Sequence, residues 1–438
     1  MRKTAIVYYY PKANRYSVNV LLAAIDKYVP CVDQYLVRDG EPLVAIVNEL
    51  SRVYDNLVVA FSILTVQLPQ ILNTIRLLRM YKPDNVVLIA GGPHATGDPY
   101  GTLNLGFDYV FIGEAEESLI EFIWKLVEGD DPARVKGLVT RVNGGIVFTG
   151  RRKPINLDEY PPVSLERNLY NPIEITRGCP YTCAYCQTPY IHGLKPRHRS
   201  IECILYYTRE MLKRGLKDIR FITPNSLCYG SSNGKTLELQ EVEELLYRLR
   251  ILCDSYGGRI FFGSFPSEVR PEFVTDESIR VLRKYVNNNR IIIGAQSGSD
   301  RILKLLHRGH TVDDVVNAVT VALKYGFIVD VDFIFGLPYE TEEDIELTVN
   351  TIRKLIKLGA RVHAHTFLPL PGTPLALAKP GTIHPKVRKI LYKYLGRGVV
   401  YGEWVRQERL AQIICELRAK GVIRVKPSIG RYYEFRLS

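Results

Sequence analysis

Short, wholly apolar runs that alternate with helical spacing constrain this chain more than any other feature. Asn85-Val-Val-Leu-Ile-Ala90 is one such run, and it is flanked by helical patterns at Leu68–Tyr81 and Glu116–Val127. A strand with no polar face must be covered on both sides, which requires a parallel sheet between two helix layers. Further strands of this kind read at Thr4–Tyr10, Val32–Leu36, Leu57–Ser62 and Tyr109–Ile112. Residues 1–151 are therefore expected to form a doubly wound α/β domain of about five strands in flavodoxin/Rossmann-like order, with its ligand site at the strand carboxyl ends.

A proline-bearing stretch, 152–170, reads as a linker, and a second alternating block follows. Its strands are expected at Ile173–Thr176, Asp218–Thr223, Arg259–Phe265, Arg290–Gln296, Ile328–Phe335 and Arg361–Leu370. Helical patterns at Ile201–Arg214, Leu237–Cys253, Glu277–Val286, Val312–Tyr325 and Glu342–Leu358 separate them. Thr341-Glu-Glu-Asp344 has the form of a capping box for the last helix. Six βα units make a partial TIM-type barrel over 171–375, whose site belongs at the strand carboxyl ends. Residues 376–438 form a small α+β extension with a helix at Trp404–Lys420 and a short β ribbon.

The 438 residues carry 58 Lys+Arg against 46 Asp+Glu, a net charge of +12. No Lys/Arg block accompanies that excess, so nucleic acid is not an expected partner. No apolar run approaches the ~18 residues of a membrane span, and the Met-Arg-Lys start leads into too short an apolar stretch for a signal peptide. A cytoplasmic protein is expected.

Three of the eight cysteines fall at Cys179, Cys183 and Cys186, on the loop after the first barrel strand: Thr176-Arg-Gly-Cys-Pro-Tyr-Thr-Cys-Ala-Tyr-Cys186. A structural zinc site needs four ligands, and no second Cys or His pair follows at finger spacing. Three thiolates on one loop suit a 4Fe–4S cluster with one iron left for another ligand.

This cysteine motif resembles that of the radical S-adenosylmethionine (radical SAM) superfamily, and the resemblance extends from Asn171 to about Pro374. It implies a cluster that binds S-adenosylmethionine and, given one electron, yields a 5′-deoxyadenosyl radical. It also implies a reductant such as ferredoxin or flavodoxin. Tyr185 matches the superfamily's aromatic beside adenine. Asn225 and Ser226 stand where many members carry Gly-Gly-Glu, so the acidic residue is missing. By the same resemblance Ser267, Glu268 and Arg270 are expected at the ribose and carboxylate, Gln296 in the barrel mouth and Gly336 on an apolar shelf. His363 and His365 share one face of the last barrel strand and are the catalytic candidates if that face points inward.

Three segments of the first domain resemble the cobalamin-binding domain of the cobalamin-dependent class. They are Phe61-Ser62-Ile-Leu-Thr65, Ala90-Gly91-Gly92-Pro93-His94-Ala-Thr96 and Gly113-Glu114-Ala-Glu116. The resemblance assigns Ser62, Thr65, Gly91, Gly92, Gly113 and Glu114 to cobalamin, and the enzyme to methylation or rearrangement of an unactivated carbon. The first-strand loop Tyr10–Ser17 lacks the Asp-x-His-x-x-Gly motif that supplies a cobalt ligand in many such domains. His94 is expected to make a polar contact, and Pro369–Pro374 to shape the barrel exit. Two other functions stay open: a methylthiotransferase-like enzyme acting on RNA or protein, and a non-catalytic cofactor sensor. The first of these usually carries a second cluster on N-terminal cysteines and a C-terminal RNA-binding barrel. Here the first domain has only Cys31, and the last forty residues are few for a barrel. The substrate is unknown from sequence.

Overall fold

The computed structural model describes residues 1–425. The first domain is built on a seven-stranded sheet in the order β2-β1-β3-β4-β5-β6-β7. Its strands are β1 (Thr4–Tyr9), β2 (Asp33–Val37), β3 (Asn56–Ser62), β4 (Val86–Gly91), β5 (Tyr109–Phe111), β6 (Leu138–Val142) and β7 (Gly145–Phe148). The first five run parallel, as the unbroken apolar runs require. The count of five strands is corrected to seven, because an antiparallel hairpin, β6–β7, extends the edge at β5. Asn143 and Gly144 turn that hairpin with φ of 49° and 80°, the left-handed pair of a two-residue loop.

Alternate residues of these strands bury on opposite sides. Ala5, Val7, Val59 and Leu88 pack under one helix layer, and Ile6, Tyr8, Val58 and Ile89 under the other. The helices Leu68–Tyr81 and Glu116–Glu128 cover the two faces.

The second block curls into an open barrel of parallel strands. One arc contains β8 (Ile173–Glu174), β11 (Asp218–Ile222) and β12 (Arg259–Phe261). The other contains β13 (Arg290–Gln296), β14 (Ile328–Phe335), β15 (Arg361–Thr366) and β16 (Val400–Tyr401). A single parallel bridge, Val269 to Ile293, joins the arcs. Two short strands, β9 (Thr176–Arg177) and β10 (Arg197–His198), pair antiparallel and clamp the base of the cysteine loop. Helices at Ile201–Lys213, Leu239–Ser255, Asp276–Tyr285, Val312–Lys324 and Glu342–Leu358 wrap the outside, each within two residues of its expected bounds at the N-terminus.

Residues 376–425 add β16 to the barrel sheet, in register with β15 through Val362–Val400 and His363–Tyr401. The helix Trp404–Ala419 packs on β15. The expected β ribbon lies outside the described residues. No helix among the described residues is long and apolar enough to cross a membrane.

Candidate active site

The cysteine loop leaves β9 through Gly178, whose φ is +92°. A Cβ there would run into the Lys195 carbonyl, so the turn needs glycine. The loop is pinned by hydrogen bonds from Cys179 N to Gly193 O, from Ala184 N to Leu306 O and from Cys186 N to Cys183 O. All three cysteines line one cavity of about 450 Å3 at the barrel's carboxyl end. Burial pushes the Cys179 thiol up to about 12 and raises that of Cys186, so both hold protons until metal displaces them. The soft three-thiol donor set on one cavity wall fits a multi-iron cluster.

Of the residues expected at S-adenosylmethionine, Tyr185, Glu268, Arg270 and Gln296 share this cavity. Gln296 holds φ at +73°, a left-handed turn in a buried polar residue at a strand end. Glu268 is half-buried, and its carboxyl is raised to about 7, first by desolvation. The Arg270 guanidinium stacks 3.4 Å from the Tyr181 ring centre and pairs with Glu272.

The remaining expected residues bind the frame together. Ser267 donates to Phe221 O at 2.7 Å and accepts from Thr223 N, locking two strand ends. Asn225 accepts from Leu227 N and Arg270 N. Asn225 Nδ2, Ser226 Oγ and Ser264 Oγ are buried without hydrogen-bond partners beside the cavity wall. Gly336 is required because a Cβ there would strike the Thr382 backbone.

Sequence reasoning missed Arg308, which is buried in the cavity wall. Its guanidinium reaches Gly294 O (2.7 Å), the Tyr185 hydroxyl (3.0 Å) and Cys183 Sγ (3.6 Å), and its Nε has no partner. The run Leu306-His-Arg-Gly-His310 after a short helix was the available signal. Asp332 and Gln407 also line the cavity. Asp332 was legible as a charge in the apolar strand β14, whereas Gln407 arrives from the Trp404–Ala419 helix by tertiary packing alone. His365 lines the cavity, and His363 is half-buried behind it.

A second cavity of about 280 Å3 lies between the first domain's carboxyl rim and the barrel. Ser62, Gly91, Gly92, Gly113 and Glu114 line it, together with Tyr16, Ser17, Asn171, Arg177 and His192. Ser62 meets the Ser17 hydroxyl at 2.8 Å. Gly92 has φ +88°, and a Cβ there would sit 2.9 Å from Ser62 Oγ, so only glycine leaves this slot open. Thr65 is not in the lining: it is buried against His94 Nδ1 at 3.1 Å. Burial lowers His94 to about 4, so it is a neutral core residue making the polar contact expected of it. The small-residue rim and its hydroxyls fit an elongated group entering edgewise.

Glu114 faces this cavity but is engaged by Arg197, Arg177 (3.6 Å) and His192 (3.4 Å). Burial alone would raise its carboxyl; the His192 hydrogen bond and the Arg177 and Arg197 charges outweigh it and hold the group at about 2. Arg197 thus reaches Glu114, whereas Arg199 turns inward to the carbonyls of Glu174 and Tyr160. The loop Pro369–Pro374 does more than shape an exit: Gln187 Nε2 bridges Pro93 O and Pro371 O, and Gly97 packs on Pro371.

A doubly wound domain whose rim faces the mouth of a thiol-bearing barrel defines a two-cofactor α/β protein. A family model for the radical SAM superfamily matches residues 173–352, and one for the B12 binding domain matches residues 33–123. The chain belongs to the radical SAM superfamily, in the class that carries a B12 binding domain. It is 28% identical over 311 residues to an uncharacterized methyltransferase, PH0819, of Pyrococcus horikoshii, covering 67% of this chain and 62% of that one. It is 29% identical over 234 residues to threonylcarbamoyladenosine tRNA methylthiotransferase MtaB of Thermotoga maritima, covering 52% and 50%. The chain spans about half the length of the curated relatives it matches. Its fold matches that of the radical S-adenosylmethionine methyltransferase TsrM from Kitasatospora setae, solved with cobalamin and a 4Fe–4S cluster. There the TM-score is 0.67 at 15% identity, covering 88% of this chain and 80% of that one.

Proposed function

We propose that the chain is a cobalamin-dependent radical SAM enzyme that methylates or rearranges an unactivated carbon. One observation carries this reading: the stretch from Arg177 to His192 walls both cavities, giving Cys179, Cys183 and Cys186 to one and Arg177, Ile191 and His192 to the other. A single short segment therefore separates the two sites, as carbon transfer between two cofactors requires. When bound, the cluster supplies the electron that cleaves S-adenosylmethionine to a carbon radical, and cobalamin supplies a methyl carrier.

The chain's own groups position and shield. Cys179, Cys183 and Cys186 hold the cluster as thiolates. The free Nε of Arg308 offers a donor to a carboxylate, and Gln296 and Arg270 flank the same space. Tyr185 offers its ring to adenine. Phe367, Leu368 and Leu370 wall the cavity with apolar surface and limit water. Glu268, with its raised carboxyl, holds or accepts a proton near neutral pH. Ser62, Gly91, Gly92 and Gly113 form the cobalamin slot.

Cys31 is the one cysteine before Cys179, and it lies exposed just before β2, at the sheet edge opposite the rim. Residues 1–178 therefore hold no thiol set for a second cluster, which disfavours the methylthiotransferase reading. The electron donor is a ferredoxin or flavodoxin, and the compartment is the cytoplasm.

The test is anaerobic reconstitution with iron and sulfide, then cobalamin, with electron paramagnetic resonance of the Co(II) form. His192 is the only histidine among the described residues lining the slot, and it is drawn toward Glu114. Bound cobalamin without axial nitrogen splitting is expected. Splitting would assign a nitrogen ligand, and absence of bound cobalamin would overturn the cobalamin-dependent reading.

A further inference from the structure

The parallel pairing of β14 with β15 sets Asp332 directly beside His363, and strand alternation puts His365 on the same side. Three ligand atoms converge there. His363 Nδ1 lies 2.9 Å from Asp332 Oδ1 and 3.1 Å from His365 Nε2. The Tyr401 ring stacks on His363 at 4.6 Å and fixes its plane.

With Asp332 as a carboxylate, no placement of the imidazole protons satisfies this cluster. Gln407 Oε1 accepts the Thr366 N–H at 2.8 Å, which turns its Nε2 toward His365 Nδ1 at 3.2 Å. His365 then carries its proton on Nε2, aimed at His363 Nδ1. His363 Nδ1 must accept, yet the same lone pair faces the Asp332 carboxylate. Placing a proton on His363 Nδ1 instead satisfies Asp332 but sets it against the His365 N–H. Each arrangement leaves one close pair of like groups in a half-buried site, a costly state.

We infer that Asp332, His363 and His365 form a second metal site that takes one divalent transition-metal ion of the Zn2+ kind. A cation meets all three lone pairs at once. Ligands at ~2.0–2.1 Å from one ion lie about 3.3 Å apart, close to the separations found here. Two imidazoles and a carboxylate suit zinc or ferrous iron better than magnesium or calcium. With the ion bound, His365 moves its proton to Nδ1, where the second lone pair of Gln407 Oε1 accepts it after the amide turns. Asp332 and His365 line the same cavity as the three thiols, so the ion's open positions suit an anionic or carbonyl oxygen of the substrate.

The test counts metal, so it is independent of radical chemistry. Full-length protein with its cluster reconstituted is dialysed against radiolabelled Zn2+ at micromolar free ion. A full-length Cys179→Ala, Cys183→Ala, Cys186→Ala variant is titrated with Co2+ in parallel. One Zn2+ per chain is expected beyond the cluster iron, and visible Co2+ bands without thiolate charge transfer. His363→Ala, His365→Ala and Asp332→Asn should each weaken binding by about 10- to 100-fold or more while leaving iron and sulfide contents unchanged. Absence of stoichiometric Zn2+ in the reconstituted protein overturns the site, as does undiminished binding in the His363→Ala, His365→Ala double variant. The reconstituted protein decides alone if the triple cysteine variant fails to fold.

Discussion

At the residue scale, eight cysteines divide into two populations. Cys179, Cys183 and Cys186 face a common cavity, whereas Cys228 and Cys253 are buried among the core side chains and Cys203 and Cys415 lie on helices. Replacing any of the first three with Ala should abolish dithionite-dependent release of 5′-deoxyadenosine and most bound iron. Ala at Cys31, Cys203, Cys228, Cys253 or Cys415 should leave both intact. A full cluster without Cys183 would refute the assignment. His94 makes a different prediction, about pH. Burial lowers its folded value to about 4 from 6.5, so the unfolded chain binds more protons between those limits. Stability is then full above pH 6.5 and falls as the pH drops toward 4, by about 3 kcal/mol. Urea denaturation of His94→Gln should show a flatter pH dependence across that window, and an unchanged slope would remove His94 as its source.

Elements carry predictions of their own. The Glu342–Leu358 helix begins with the capping box readable in the sequence: Thr341 Oγ1 accepts from Asp344 N, and Asp344 bonds back to Thr341 N at 2.8 Å. Thr341→Ala should cost about 1 kcal/mol in denaturant unfolding without altering iron content. On the rim, Gly92→Ala places a side chain into Ser62 and the Ile63 backbone at φ +88°. The expected cost is about 1–3 kcal/mol, with a loss of bound cobalamin measured after gel filtration and no change in cluster absorbance. Equal cobalamin retention would show that the slot lies elsewhere. The β6–β7 hairpin was missed among the expected strands, although Asn143-Gly144 between alternating residues is the signal of a two-residue turn.

At the scale of the whole molecule, charge ties the two domains together beside the apolar packing of Leu368, Leu370, Ile414 and Ile423 on the first domain's core. Glu114 from the rim meets Arg197 and Arg177 from the barrel, and Arg177 also pairs with Glu116 at 2.8 Å and Glu174 at 2.6 Å. The backbone between the domains joins in, as Ile155 N donates to Glu114 Oε2. Glu114→Gln should destabilise by about 3 kcal/mol near neutral pH, because it leaves buried Arg charge with one carboxylate fewer. The native Glu114 carboxyl is held at about 2 against 4.5, so its contribution is present above pH 4.5 and lost as the pH falls toward 2. The variant should therefore lose less stability than the native chain across that acid limb. Faster limited proteolysis within residues 149–156 would report the loosened junction.

Local pattern decided the elements. Unbroken apolar runs required buried parallel strands, and their alternation with helices left few topologies. The five parallel strands of the first sheet, six barrel strands and the cysteine loop could therefore be read before any coordinates, whereas β6, β7 and β16 were not. Glycine positions such as Gly92 and Gly178 were visible too, although the close contacts that demand them were not. What the tertiary structure alone decided is which side chains meet across distant strands. Arg308 reaches Cys183 and Tyr185 over more than 120 residues, and Gln407 enters the barrel mouth from a helix beyond the last expected barrel strand. Ser267 and Thr65 were read as ligand contacts from their place at strand ends, yet their hydroxyls bond to Phe221 O and His94. Periodicity fixes which face of a strand a residue takes, but a hydrogen-bond partner is chosen by strand register and curvature, which no local stretch of sequence encodes.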